Sequence, residues 1–266
     1  GDQDIAIEDL TVGQMKDFQS YLIGEGLRMN TISLYNRELR AVYNYALDEE
    51  IIQMDKRPFR KSFTGQEKTR KRAVDGGVVK RLAILSLIDK AMLGFARDLF
   101  LFSIYMQGMP FIDMAYLKKE QVRNGCITYQ RRKTNRQLRV KIHPQAQIII
   151  DRYMVSDPGC PYLFPILYDP EKKTEREYSS ALRVYNKRLD SLSSLLELDE
   201  PLTSYVARHT WASLARQCGT SDTVISEAMG HSHVGVTTIY LASLDIGMVA
   251  MANQRVITSL FRKRIP

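Results

Sequence analysis

Cysteine is scarce in this chain of 266 residues, and the three present, Cys126, Cys160 and Cys218, are odd in number and far apart. That pattern excludes a disulfide framework and a Cys-x-x-Cys metal site, and it fits a reducing cytoplasm. Long apolar runs are missing too. The longest, Leu99 to Met106, is broken by Ser103 and falls far short of the roughly 20 residues that a spanning helix needs. The opening Gly1-Asp2-Gln3-Asp4 is acidic and has no apolar h-region, so no signal peptide and no membrane association are expected. No Gly-x-Ser-x-Gly segment occurs, which removes the nucleophile elbow of a serine hydrolase. His231 and His233 lie two apart without a matching Cys or carboxylate pattern, so no metal is expected there.

Positive charge is in excess: 38 Lys and Arg against 30 Asp and Glu, a net +8. Its distribution points to an acidic partner such as nucleic acid. Residues 55–72 hold Lys56, Arg57, Arg60, Lys61, Lys68, Arg70, Lys71 and Arg72 against Asp55 and Glu67, and Pro58 and Gly65 break any helix. This stretch, 56–72, reads as a basic interdomain linker. Residues 129–142 carry Arg131, Arg132, Lys133, Arg136, Arg139 and Lys141 with no acid, and residues 246–266 carry Arg255, Arg262, Lys263 and Arg264, again with none.

The length favours two domains, since a typical domain has roughly 150 residues. Before the linker, Thr11-Val12-Gly13-Gln14 is a capping-box pattern opening a helix with Met15, Phe18 and Leu22 on one face, stopped by Gly24 and Gly26. A second helix runs from about Asn30 to Glu49, expected to bury Leu34, Leu39, Val42 and Ala46 and to expose Asn30, Ser33, Arg37 and Arg40. Two helices bury too little surface to stand alone, so residues 1–55 read as a truncated helical unit. Beyond the linker, helices are expected at 78–87, 91–106, 144–154, 175–196, 203–218, 221–229, 234–241 and 246–261, the second of them apolar all round and buried. Cys126 to Gln130 and Gln137 to Ile142 read as a hairpin with a basic tip at Lys133-Thr134-Asn135-Arg136. The expected fold is mainly α with a small antiparallel sheet.

Near the C-terminal end stand Ala207-Arg208-His209-Thr210-Trp211-Ala212, then Met229-Gly230-His231-Ser232-His233, then Thr237-Thr238-Ile239-Tyr240. With Lys133-Thr134 and Gly108-Met109-Pro110-Phe111-Ile112-Asp113-Met114, this constellation resembles the tyrosine recombinase (phage integrase) family over essentially the whole chain, in particular integrases of Bacteroides-type mobile elements. The family carries an Arg-His-Thr helix, a Gly-His-Ser turn and a nucleophilic Tyr nine residues after that His, as His231 and Tyr240 stand here. The resemblance implies a truncated core-binding domain at 1–55 and an α+β catalytic domain at 73–266 ending in an assembly helix. It implies DNA cleavage through a 3′-phosphotyrosine intermediate on Tyr240, with Arg208, His231 and Lys133 as the other catalytic residues. It also implies double-stranded DNA clamped between the two domains, a homotetramer joined through the C-terminal helix, accessory DNA-bending proteins and a bacterial, nucleoid-associated setting.

The residue types suit that chemistry. A phosphodiester exchange needs a nucleophile, charge stabilisation on the non-bridging oxygens and a proton for the departing 5′-oxygen. Arg208 offers a planar fork matching phosphate oxygens, His231 a hydrogen bond to the phosphate, and Lys133 a proton. No metal, ATP or other cofactor is required. For DNA contact the expected residues are Asn30, Ser33, Arg37 and Arg40 on the second helix, Lys56, Arg57, Arg60 and Lys61 in the linker, and Arg131, Arg132, Arg136 and Arg139 on the hairpin.

Two positions depart from the family pattern. The first catalytic Arg is absent: Gln107 stands where the subgroup writes Arg-Gly-Met, and a neutral amide binds a phosphate oxygen without neutralising it. An engineered change, natural divergence and compensation by another Arg each account for it. Tyr205 stands three residues before Arg208, where the family has His, and it cannot act as a near-neutral base. Gln107 and Tyr205 are auxiliary candidates, with Asp113 as an acidic support. A catalytically impaired recombinase-like DNA-binding accessory protein is the alternative reading, and a type IB topoisomerase is the third.

Overall fold

The computed structural model describes residues 4–67 and 72–231. Lys68, Arg70 and Lys71, the segments 234–241 and 246–261 read as helices, His233 and Tyr240 lie outside the described residues. The chain divides into two compact units, residues 1–70 and 71–266. Among the described residues no helix is long and apolar enough to cross a membrane.

In the first unit, α1 (Val12–Gly24) opens on the expected capping box: the Thr11 hydroxyl accepts from Gln14 N–H while the Gln14 side chain accepts from Thr11 N–H. It stops at Gly26, whose φ of +77° lets Gly26 N–H reach Ile23 O and Leu27 N–H reach Leu22 O, closing the last carbonyls. The second helix, α2 (Met29–Asp48), forms as expected but presents a different face inward. Ile32, Ser33, Asn36, Tyr43 and Ala46 are buried, while Leu34, Leu39 and Val42 are 45%, 37% and 56% exposed.

The cause is the stretch that the sequence suggests as a linker. Residues 56–67 fold back over α2: Phe59 packs edge-on against Tyr43 at 5.8 Å and joins Met15, Ala46 and Ile52 in one small core. This returning strap has no ladder for its backbone, so α2 supplies polar partners. Ser33 Oγ donates to Gly65 O (2.6 Å), Asn36 Nδ2 to Phe63 O (3.0 Å), and Asn30 both donates to Glu67 O and accepts from Glu67 N–H. Asn30 and Ser33 therefore hold the strap instead of facing outward, and the segment before residue 68 is part of the first unit's fold rather than a free connection.

In the second unit, α3 (Gly76–Ile84) starts on Asp75, whose carboxylate accepts from Gly77 and Val78 N–H, and it ends three residues earlier than expected. The apolar helix α4 (Ala91–Tyr105) is the centre of the core, with Leu99, Phe100 and Phe102 buried. It packs against α3, α6 (Pro144–Tyr153), α7 (Tyr178–Leu195) and α8 (Val206–Gln217). A short α5 (Phe111–Ala115), not legible in the periodicity, follows Pro110. Strands β1 (Val122–Arg123), β2 (Cys126–Gln130) and β3 (Gln137–Lys141) form an antiparallel sheet with Ile127 opposite Val140 and Tyr129 opposite Leu138, all four facing inward. A two-stranded ribbon, β4 (Tyr168–Asp169) with β5 (Thr174–Glu175), occupies the start of the stretch expected as helix from 175, so α7 begins at Tyr178. Last among the described residues comes α9 (Asp222–Ala228), capped by Ser221.

Two substitutions separate the observed packing of α2 from the face its hydrophobic pattern suggests. Phe59→Ala is expected to cost about 3 kcal/mol of first-unit stability, and Leu34→Ala to stay within about 0.5 kcal/mol, read from hydrogen exchange of the α1 and α2 amides. Equal losses would contradict the packing.

Candidate active site

Arg208 sits in the first turn of α8 and is 2% exposed. A guanidinium buried that far must be hydrogen-bonded to persist. Its Nη1 donates to Gly108 O (2.8 Å) and its Nη2 to Met229 O (2.6 Å), and Nη2 also lies 3.0 Å from His231 Nε2. Two segments distant in sequence thus meet on one side chain.

The two carbonyls come from two turns that end helices. After α4, Gln107 and Gly108 adopt left-handed conformations (φ +61° and +72°), and Gly108 and Met109 N–H both reach back to Ser103 O. Ser103 Oγ donates to Met109 O (2.7 Å) and fixes the far side of the turn. A Cβ at position 108 would lie 3.2 Å from Arg208 Cα, so glycine allows both the turn and the approach. After α9, Gly230 takes φ +65° with its N–H on Glu227 O, and His231 N–H returns to Ser226 O. This is the glycine-terminated helix end, and it is what aims His231 at Arg208.

The His231 imidazole is buried among cations. Burial, then Arg208, Arg131 and Lys133, push its pKa down to about 3, so it is neutral near pH 7. Arginine can only donate, so Nε2 accepts and the proton sits on Nδ1. Asp113 on α5 is 3% exposed; its Oδ1 accepts from Arg132 N–H (3.0 Å), and its Oδ2 is buried without a hydrogen-bond partner among the described residues. Burial raises its pKa against the lowering effect of the Arg132 N–H and of Arg131, Arg208 and Arg132. Buried Tyr129 beside it is also pushed up, by burial first and by Asp113 second.

The hairpin carries Lys133, which is exposed at the tip. Around it, Arg131 Nη1 donates to Gly230 O (2.8 Å), Thr134 Oγ1 to the same oxygen (3.3 Å) and Arg136 Nη1 to His231 O (3.1 Å). The Arg132 guanidinium lies 3.7 Å over the Tyr116 ring. Gln107 is half-buried in the turn that holds Arg208. Tyr205, the residue preceding α8, is 42% exposed and stands edge-on to the His209 ring at 5.1 Å.

The second unit therefore brings Gln107, Asp113, Lys133, Arg208 and His231 into one neighbourhood, while Tyr240 lies outside the described residues. Arg131, expected as a phosphate contact, is 4% exposed and faces the interior. Strand alternation contained that signal, because 131 continues the inward series of Ile127 and Tyr129. Arg139 stays outward on β3, opposite Thr128. In the first unit Arg37, Arg40, Arg60 and Lys61 are exposed, Lys56 pairs with Asp9 at 3.5 Å, and Arg57 pairs with Asp55 at 3.7 Å.

Comparison with known proteins agrees with this architecture. The sequence model of the Phage integrase family matches residues 81–245, and that of the Phage integrase SAM-like domain matches residues 1–63. A search of curated proteins finds no match. Among solved structures, the Tn1549 transposon integrase in complex with circular intermediate DNA is similar at TM-score 0.72 and 14% identity, over 93% of this chain and 86% of that one. A lambda integrase dimer bound to a COC′ core site is similar at TM-score 0.69 and 13% identity, over 92% and 86%. A lambda integrase tetramer bound to a Holliday junction is similar at TM-score 0.71 and 14% identity, over 90% and 67%. At these identities the structural likeness establishes the fold.

Gly108→Ala is expected to destabilise the chain by about 1–3 kcal/mol through the left-handed backbone and the contact with Arg208. Gly24→Ala, where a Cβ meets nothing within 4 Å, is the control and should be neutral or slightly stabilising. Urea denaturation of the two variants decides; equal midpoints would contradict the close approach.

Proposed function

The chain belongs to the phage integrase family of tyrosine site-specific recombinases, and we propose on that premise that it cuts and rejoins DNA strands for a mobile element, with Tyr240 as nucleophile. The observation that carries the assignment of roles is the convergence of Arg208, His231 and the Lys133 hairpin, with His231 nine residues ahead of Tyr240 in sequence. Tyr240 Oη attacks the scissile phosphorus and forms a Tyr–O–P bond as the bond from phosphorus to O5′ breaks, and the phenolic proton passes to solvent water. The Lys133 ammonium gives its proton to O5′ and becomes a neutral amine. Arg208, oriented by two carbonyls and an imidazole, neutralises the non-bridging oxygens as charge builds on them. The neutral His231 ring offers its Nδ1–H as a donor. Bond energy is kept in the phosphotyrosine, so a free 5′-hydroxyl reverses the sequence.

The DNA-bound integrases of the same fold support double-stranded DNA as the partner. Arg37, Arg40, Arg60, Lys61 and Arg139 are the exposed cations we assign to its backbone, which makes affinity steeply dependent on salt. Assembly as a homotetramer through residues 246–261 belongs to the same proposal, supported by the fold shared with the lambda tetramer, and so do accessory DNA-bending proteins and a place on the bacterial nucleoid. One observation favours a second reading. Gln107, a neutral side chain, occupies the turn beside Arg208, as in a DNA-binding accessory protein with impaired chemistry.

A nicked suicide DNA spanning the element's own junction separates the two. An SDS-stable protein–DNA adduct is expected, stronger in Gln107→Arg, reduced by about 10² to 10³ in rate in Arg208→Lys and absent in Tyr240→Phe. An adduct that survives Tyr240→Phe would contradict the nucleophile. Tight binding with no adduct in the wild type or in Gln107→Arg would establish the accessory reading.

A further inference from the structure

We propose that Arg131 is a positioning residue for Lys133, locking the hairpin to the Gly230-His231 turn so that the proton donor and the histidine meet the phosphate as one body. The inference rests on the reading of Lys133 as general acid. Four contacts bracket the lysine on both sides. Before it, Arg131 donates to Gly230 O and Arg132 N–H donates to Asp113 Oδ1; after it, Thr134 donates to Gly230 O and Arg136 to His231 O. The two carbonyls are consecutive, and one belongs to the residue whose ring contacts Arg208. The Lys133 backbone cannot shift against the His231 backbone without breaking several of these bonds.

Among the four, Arg131 is the one with a buried guanidinium, 4% exposed, and it spans 99 residues of sequence in a 2.8 Å bond. Packing beneath it is at its limit: a Cβ on Gly230 would stand 3.2 Å from Arg131 Cδ and 3.0 Å from Leu138 Cδ1. Arg136 is half open to solvent and Thr134 makes a long bond, 3.3 Å. An arginine aimed at DNA would be exposed, whereas this one points along the inward face of β2 with Ile127 and Tyr129. Its charge also lies close enough to help keep His231 neutral.

The test compares two suicide DNAs, one with the ordinary 5′-bridging oxygen and one with a 5′-bridging sulfur, whose thiolate leaves without a proton. Single-turnover cleavage is measured for the full chain, Lys133→Met, Arg131→Met and Arg131→Lys, in the wild-type and Gln107→Arg backgrounds. The readout is the ratio of the two rates within one preparation, so an inactive or unfolded fraction cancels. Lys133→Met should lose on the order of 10²-fold or more on oxygen and recover on sulfur. Arg131→Met should shift the ratio in the same direction by at least about tenfold, with DNA affinity unchanged, and Arg131→Lys should lie between. If Arg131→Met slows both substrates equally, Arg131 is structural only and the proposal is overturned. If sulfur fails to rescue Lys133→Met, the general-acid reading falls and takes this inference with it. If no protein cleaves either DNA, the recombinase chemistry itself is refuted.

Discussion

Burying the Arg208 guanidinium is the constraint around which the second unit is built. A charge withdrawn from water must be met by acceptors in fixed places, and the fold provides them at the ends of two helices. Both ends use glycine for a physical reason. Gly108 lets the α4 turn close and lets its backbone approach Arg208, and Gly230 ends α9 so that Met229 O and the His231 ring face the same guanidinium. The Gly-His motif in the sequence is thus the trace of a helix terminus rather than of two independent side chains.

Electrostatics then sorts the cations around Arg208 into distinct jobs. Arg131 is interior and tied to a carbonyl, Arg132 covers Tyr116, Arg136 holds the backbone of His231, and Lys133 is exposed between them. A neutral imidazole follows first from burial and then from this crowding, because adding a proton to His231 would place a further positive charge beside Arg208, Arg131 and Lys133. Asp113 offsets part of the field while accepting the Arg132 N–H, which ties α5 to the hairpin base. On the proposed reading a phosphate meets Arg208 as an oriented cation, His231 as a neutral donor and Lys133 as a cation at the surface.

Legibility in the sequence followed the locality of the forces. The capping box at Thr11, the apolar α4 and the β2–β3 hairpin were readable because each depends on neighbours a few residues away. The face of α2 was not: its apolar residues Leu34, Leu39 and Val42 stay exposed, since Ser33 and Asn36 are drawn inward by the backbone of a strap some 30 residues later. The charge of that strap suggests a linker, although Phe59 anchors it in the first core. In the site, motif spacing marks Arg208 and His231, whereas the charge run around Arg131 suggests a surface cation and hides the strand alternation that points it inward.

The most direct test of this account is the protonation state of His231, followed by nitrogen-15 NMR of the imidazole as pH is lowered. Burial and then coupling to Arg208 predict a ring that is neutral at pH 7 with its proton on Nδ1 and still neutral at about pH 5, with a pKa pushed down to about 3 that moves part of the way back toward 6.5 in Arg208→Ala. A ring that titrates near 6.5 in the wild type, or carries its proton on Nε2, would contradict the interaction on which the site is built.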